Sequence, residues 1–109
     1  MIRVRIERCP EGRGVAAFTV EGHAGWAPHG RDIVCAGVSA LTQAALLGLE
    51  EYLALSPNVK VKEGFLHCRL RGAEQKMREA QAILATMELG LRAMAREYPE
   101  SIKIEEVRA

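Results

Sequence analysis

His23 and Cys35 are the residues of this sequence best suited to chemistry. They lie twelve positions apart in the stretch EGHAGWAPHGRDIVCAGVSA, Glu21 to Ala40, on the two sides of a glycine-rich loop. Asp32 offers a helix N-cap, so Cys35 falls in the first turn of the helix that follows. Unsatisfied backbone N–H groups and the positive end of the helix dipole favour a thiolate there, and a thiolate is a nucleophile near neutral pH. His23 could take the thiol proton as a base, or pair with the thiolate as imidazolium, and then protonate a leaving amine. The backbone amide of Cys35 is a candidate donor to an oxyanion.

Spacing alone does not establish such a pair, because a cysteine in an apolar helix is more often an inert small hydrophobe. Three features favour chemistry. Gly22, Gly25 and Gly30 give the loop the freedom of a substrate gate. Trp26 stands on it as an aromatic with nothing local to pack on, and Ser39 lies one helical turn beyond Cys35 on the same face. Each has a plainer reading: the glycines make turns, Trp26 tucks into the core, and Ser39 bonds its own helix backbone.

Other constellations are poorer. His29 sits mid-loop, where nothing fixes its orientation. A metal site drawn from His23, His29, Cys35, His67 and Cys68 has no close-spaced ligand pair except His67 and Cys68, which a strand points to opposite faces. CxxC pairs and phosphate-binding glycine motifs with lysine are missing, so neither a metal nor a cofactor is expected. Cys9 and Cys68 read as structural.

The elements that must position this pair follow from periodicity. Ile2, Val4 and Ile6 alternate with Arg3, Arg5 and Glu7, the pattern of a half-buried strand. Pro10, Gly12 and Gly14 make a turn, and a second strand over Val15–Glu21 returns as a hairpin, ending beside His23. The run from Ile33 to about Leu55 carries no charge before Glu50, with apolar or small residues all round, which predicts a helix buried on every side. Gly37 and Gly48 within it suggest close packing against another backbone. Ser56 and Pro57 end that helix. Val59 and Val61, a Glu63-Gly64 turn, and Leu66, Cys68 and Leu70 predict a second hairpin.

A second helix is expected over Ala73–Tyr98, its stripe of Met77, Ala80, Leu84, Met87, Leu91, Met94 and Tyr98 laid on the sheet. Pro99 stops it, Ile102 and Ile104 give a last short strand, and Glu105 to Ala109 trail off. The expected fold is a single α+β domain over residues 1–109, in ββαββαβ order. Its mixed or antiparallel sheet packs with one buried and one amphipathic helix.

The 109 residues, 49% hydrophobic with a net charge of +1, suit one globular core without disulfides. Charges alternate in sign along the chain, which argues against direct binding of nucleic acid. No segment approaches the ~20 uncharged residues of a membrane span, and the start lacks the apolar core of a secretory signal. An odd number of cysteines suits a reducing compartment, so the cytoplasm is expected.

The run Gly22-His23-Ala24-Gly25, the loop closing at Gly30, then Asp32-Ile33-Val34-Cys35-Ala36 and Val38-Ser39-Ala40, resembles the signature of the Prp family, small bacterial ribosomal-processing cysteine proteases. The resemblance is dense over about twenty residues, and length and element order agree with it. It implies a cysteine endopeptidase that removes the N-terminal extension of a large-subunit ribosomal protein precursor, cutting next to aromatic residues. Cys35 would be the nucleophile and His23 the general base. Asp32 and Ser39 would support the site, and Gly22, Gly25 and Gly30 would let the loop open over substrate. It also implies a homodimer. The chain departs from the family pattern at Trp26, where a smaller aromatic is expected, at Pro28 and at Gly37. Two rival readings are a non-enzymatic ribosome-associated peptide-binding module, in which the loop and Trp26 grip a peptide, and a thiol redox sensor.

Overall fold

The computed structural model describes residues 1–22 and 33–108. Strand β1 (Ile2–Arg8) and strand β2 (Val15–Gly22) pair antiparallel, as the alternation predicts, with Ile6 opposite Phe18 and Ile2 opposite Gly22. Helix α1 (Ile33–Leu47) follows, then a hairpin of β3 (Asn58–Lys62) and β4 (Phe65–Arg69), helix α2 (Arg78–Glu97) and strand β5 (Ile102–Arg108). The sheet order is β3-β4-β2-β1-β5, antiparallel throughout except that β5 runs parallel to β1. The ββαββαβ order and mixed sheet agree with the sequence reading.

Both helices pack on one face of the sheet. Ile2, Val4, Ile6, Phe18 and Cys68 from the strands meet Val34, Val38 and Leu49 from the first helical segment and Leu84, Met87 and Leu91 from α2 in one core. Removing a fully buried aromatic such as Phe18, 1% exposed, costs about 3–5 kcal/mol. Among the described residues no helix lies on the opposite face of the sheet.

Helix α1 differs from expectation in burial. It buries one stripe, Val34, Val38, Thr42 and Ala45, and leaves Ile33 71% and Leu47 53% exposed. A five-stranded sheet with α2 alongside covers only one side of it, and the small outward residues Ala36, Ala40 and Ala44 concealed that polarity in the sequence. From Ile33 to Tyr52 the helical stretch is 20 residues long with mean hydropathy 1.6, enough by length and composition to cross a membrane, contrary to the expectation that none would be. Core helices of water-soluble domains pass the same test.

The glycines of the first helix admit side chains of α2 rather than a backbone. A Cβ on Gly37 would lie 2.6 Å from Met94 Cε, and one on Gly48 3.1 Å from Ile83 Cδ1. Past Leu47 the helix widens into a π turn, Gly48–Tyr52, where Leu53 N–H donates to the Gly48 carbonyl at 3.0 Å. Ala54, at φ 54°, then reverses the chain just before the expected stop at Ser56 and Pro57.

Two further boundaries shift. Gly72–Lys76 is a 3-10 turn, and α2 begins only at Arg78, with Met77 and Tyr98 as its caps. Strand β5 continues through Arg108 instead of trailing off, because every residue from Ile102 to Arg108 finds a parallel partner on β1. Charges help to hold that end. Arg8 of β1 makes two hydrogen bonds to Glu88 of α2 and one of 2.8 Å to Glu106 of β5. Arg92 also donates to Glu88 at 2.8 Å.

Candidate active site

Cys35 is the third residue of α1 and is half-buried. β2 ends at Gly22 and α1 starts at Ile33, and Gly22 and Cys35 line one cleft. Between α1 and the β3–β4 hairpin runs a cleft of about 510 Å³. Cys35, Ser39 and Gln43, at successive steps of four, form one wall of it, and Val61, Phe65 and Leu66 of the hairpin form another. Beyond Gln43 the helix wall turns apolar with Leu46 and Leu47. A thiol and two polar side chains thus lead into an apolar recess, a shape suited to an extended peptide with a large apolar side chain.

Gly22 closes the cleft at the strand end. Its φ of +91° lies in the region that favours glycine, and a Cβ there would stand 2.4 Å from the Met1 carbonyl oxygen. Its N–H donates to the Gly64 carbonyl at 2.9 Å, tying the β2 exit to the turn of the second hairpin. Glycine is therefore required here by the close approach of the Met1 backbone as well as by the positive φ.

Ser39 accepts a hydrogen bond from Gln43 Nε2 at 2.7 Å. Having accepted there, its hydroxyl keeps one proton to donate elsewhere. The sequence reading missed Gln43, although its position eight residues after Cys35 and four after Ser39 was a usable signal. It also missed the hairpin wall, which needs the pairing of β4 with β2 to come near α1.

His23, Gly25, Trp26, Gly30 and Asp32 lie outside the described residues, as does His29. Of the residues singled out in the sequence, the structure brings Gly22, Cys35 and Ser39 to one cleft. Cys9 and Cys68 are buried elsewhere, 8% and 1% exposed, and burial pushes the Cys68 thiol up to about 12. His67 faces the helix-free side of the sheet, where its Nδ1 lies 2.8 Å from Thr19 Oγ1. Among the described residues no group of three or more His, Cys, Asp or Glu side chains is placed to hold a metal ion.

The family model described as Cysteine protease Prp matches residues 1–103. The chain belongs to the Prp family of cysteine proteases. Ribosomal processing cysteine protease Prp of Staphylococcus aureus strain Mu50 is 33% identical over 104 residues, 95% of this chain and 97% of that one. The Bacillus subtilis protein of the same name is 27% identical over 108 residues, covering 95% and 96%. A crystal structure of the essential ribosomal processing protease Prp from S. aureus, in complex with a covalently linked product peptide, superposes with a TM-score of 0.89. It is 30% identical, and the match covers 97% of this chain and 99% of that one. The five-stranded α+β fold is thus the Prp fold, and the enzyme class of the family is that of a cysteine endopeptidase.

Proposed function

We propose that this Prp family member removes the N-terminal extension of a large-subunit ribosomal protein precursor, with Cys35 as nucleophile and His23 as general base. The observation that carries the reading is the cleft that begins at Cys35, at a helix N-terminus, and ends in an apolar recess. The names of its relatives, ribosomal processing proteases, and the covalently linked product peptide of the S. aureus enzyme support it.

His23 takes the Cys35 proton and the thiolate adds to the scissile carbonyl. The oxyanion is met by backbone N–H groups at the start of α1. The C–N bond breaks as the imidazolium protonates the departing amine, leaving a thioester. Water, deprotonated by His23, hydrolyses that thioester and regenerates the thiol. An aromatic side chain of the extension occupies the recess of Leu46, Val61 and Phe65, which places the cut next to an aromatic residue. The loop of Gly25, Trp26 and Gly30 meets the substrate, and Asp32 and Ser39 support the site.

The enzyme works in the cytoplasm as a homodimer. The exposed apolar side chains Ile33, Leu47 and Tyr52, the last 83% exposed, support a second copy on that side of the first helix.

The test is cleavage of a precursor peptide carrying the extension. Cys35→Ala and His23→Ala are expected to abolish it with the fold retained. Undiminished cleavage by Cys35→Ala would sink the assignment. Alkylation with iodoacetamide discriminates the peptide-binding rival: the protease reading requires Cys35 to react faster than an ordinary thiol and His23→Ala to slow it. The buried thiols of Cys9 and Cys68 are silent internal controls.

A further inference from the structure

The helix-free face of the sheet gathers charges that the sequence interleaves. Strand pleating sends alternate residues to this side, and the register fixes which ones share it. Arg3 lies opposite Lys103 and Arg5 opposite Glu105, while Lys60 lies opposite His67 and Lys62 opposite Phe65. With Arg69, this side holds six cationic side chains against three carboxylates, Glu7, Glu21 and Glu105, a net of +3 in a chain whose total is +1.

The carboxylates do not cancel the cations evenly. Glu7 is engaged by Arg69 through hydrogen bonds of 2.6 and 2.9 Å. Glu105 stands 3.7 and 3.9 Å from Arg3 and Arg5, whose side chains are 57% and 60% exposed. Exposed ion pairs at such distances contribute little, so both guanidinium groups are available to another anion. The cations form two rails. One is Lys60 and Lys62 on the edge strand β3, and the other is Arg3, Arg5 and Lys103 on β1 and β5. Three strand spacings separate β3 from β1, about 14 Å.

Between the rails lies a trough of about 510 Å³ with Thr19, Phe65 and His67 in its lining. Burial lowers the His67 pKa, and Arg69 and Lys60 lower it further against the pull of Glu7. Lys62 Nζ stands 5.8 Å from the centre of the Phe65 ring. The trough, lined by Arg3, Arg5 and Arg69 together with Glu7, Glu21 and Glu105, thus offers an aromatic ring and a paired imidazole and hydroxyl, with Lys60 and Lys62 beside it on β3. Single-stranded RNA has the matching chemistry, with phosphates for the rails and base faces for the ring and the imidazole.

We propose that the open face of the sheet is a docking surface for single-stranded RNA, on the side away from the helices, although Lys62 and Phe65 at its edge also line the Cys35 cleft. An acidic peptide would use the rails but leave the aromatic floor unused. The proposal does not depend on the precursor assignment, since docking requires no cleavage.

The experiment is fluorescence anisotropy of a labelled single-stranded RNA of about 12 nucleotides with the full chain, over a range of KCl concentrations. Binding is expected in the range of about 10⁻⁴ to 10⁻⁶ M. The plot of log K against log salt should have a slope of about −2 to −3, for three to four phosphates at about 0.7 each. The double variant Arg5→Gln/Lys60→Gln should bind several-fold more weakly, with a slope shallower by about 1.4. Its peptide cleavage should be unchanged, because neither residue lines the Cys35 cleft. No anisotropy change at low salt, or equal affinity of the double variant, overturns the proposal. So does competition by poly-glutamate as effective as that by unlabelled RNA at equal charge.

Discussion

Replacing Gly22 by alanine separates a conformational requirement from a contact requirement at the edge of the cleft. At φ +91° an alanine enters a region that costs an L-residue about 1–2 kcal/mol. Its Cβ would also stand 2.4 Å from the Met1 carbonyl oxygen, which is backbone joined directly to Ile2, the residue paired with Gly22 in the β1–β2 ladder. Overpacking of this kind costs about 1–3 kcal/mol. The two together predict a loss of about 2–5 kcal/mol, or about 8–20 °C in Tm for a chain of this length. Gly12→Ala isolates the first part. It has φ +82° but nothing within 4 Å of its added Cβ, so about 1–2 kcal/mol is expected. Gly72→Ala has neither and should stay within about 0.5 kcal/mol of the parent.

Urea unfolding of the three variants tests that ranking, and cleavage of a precursor peptide tests its functional consequence. Gly22 is the last described residue before His23, and displacement of a reacting group by about 1 Å costs about 10²-fold in rate. Gly22→Ala should therefore lower kcat/KM by about 10- to 100-fold at a temperature where it is still folded. Gly12→Ala, at the far end of the hairpin, should not. A Gly22→Ala protein no less stable than Gly12→Ala would refute the Met1 contact as a constraint, and an undiminished kcat/KM would refute its role in placing His23.

Glu88→Gln leaves the guanidinium of Arg8 buried with Glu106 as its remaining carboxylate, and about 2–4 kcal/mol of stability at pH 7 should be lost by urea unfolding. Burial pushes the Glu88 carboxyl up, but the hydrogen bonds from Arg8 and Arg92 outweigh it and hold the group below its usual range. A carboxylate depressed in the folded state contributes stability above its unfolded pKa of about 4.3 and loses it as the pH falls through the folded value. The gap between parent and variant should accordingly narrow below about pH 4, and a gap constant with pH would show that the ion pair is not its source. At the cleft, Gln43→Leu removes the donor to Ser39 and should lower kcat/KM by about 2- to 13-fold, the worth of one hydrogen bond of about 0.5–1.5 kcal/mol. Kinetics unchanged in both Gln43→Leu and Gln43→Glu would mean that Ser39 does not need this partner.

The strands and α2 were legible because their periodicity is local. Ile2, Val4 and Ile6 alternate, and Ala80, Leu84, Met87 and Leu91 recur at helical steps, and each set is buried in the structure. Helix α1 was legible in place but not in burial, since Ala36, Ala40 and Ala44 face outward with Gln43 as the one polar residue among them and no charge to mark the exposed side. Glu88 misled in the opposite direction. It reads as part of the charged face of α2, yet it is 8% exposed, because Arg8 and Arg92 reach it from two elements. In the candidate site, Cys35 and Ser39 share a face by helical arithmetic alone. Val61, Phe65 and Leu66 oppose them only through strand pairing, which no spacing along the chain encodes.

The same limit hides the clustering of charge on one side of the sheet from a reading along the chain. Along β1 the order Arg-Val-Arg-Ile-Glu, residues 3 to 7, looks like a strand diluted by apolar and acidic neighbours. Folding removes the apolar half of that sequence to the helix side and sets Arg3 beside Lys103, a residue one hundred positions away. Lys60 and Lys62 undergo the same sorting on β3, where their apolar neighbours Val59 and Val61 take the other side of the pleat. A basic surface can thus arise from a nearly neutral chain when its lysines and arginines fall at one parity of several paired strands. The sign of the parity is readable from each strand, but which strands lie side by side is not. Net charge therefore bounds the partners of a helical chain better than those of a sheet.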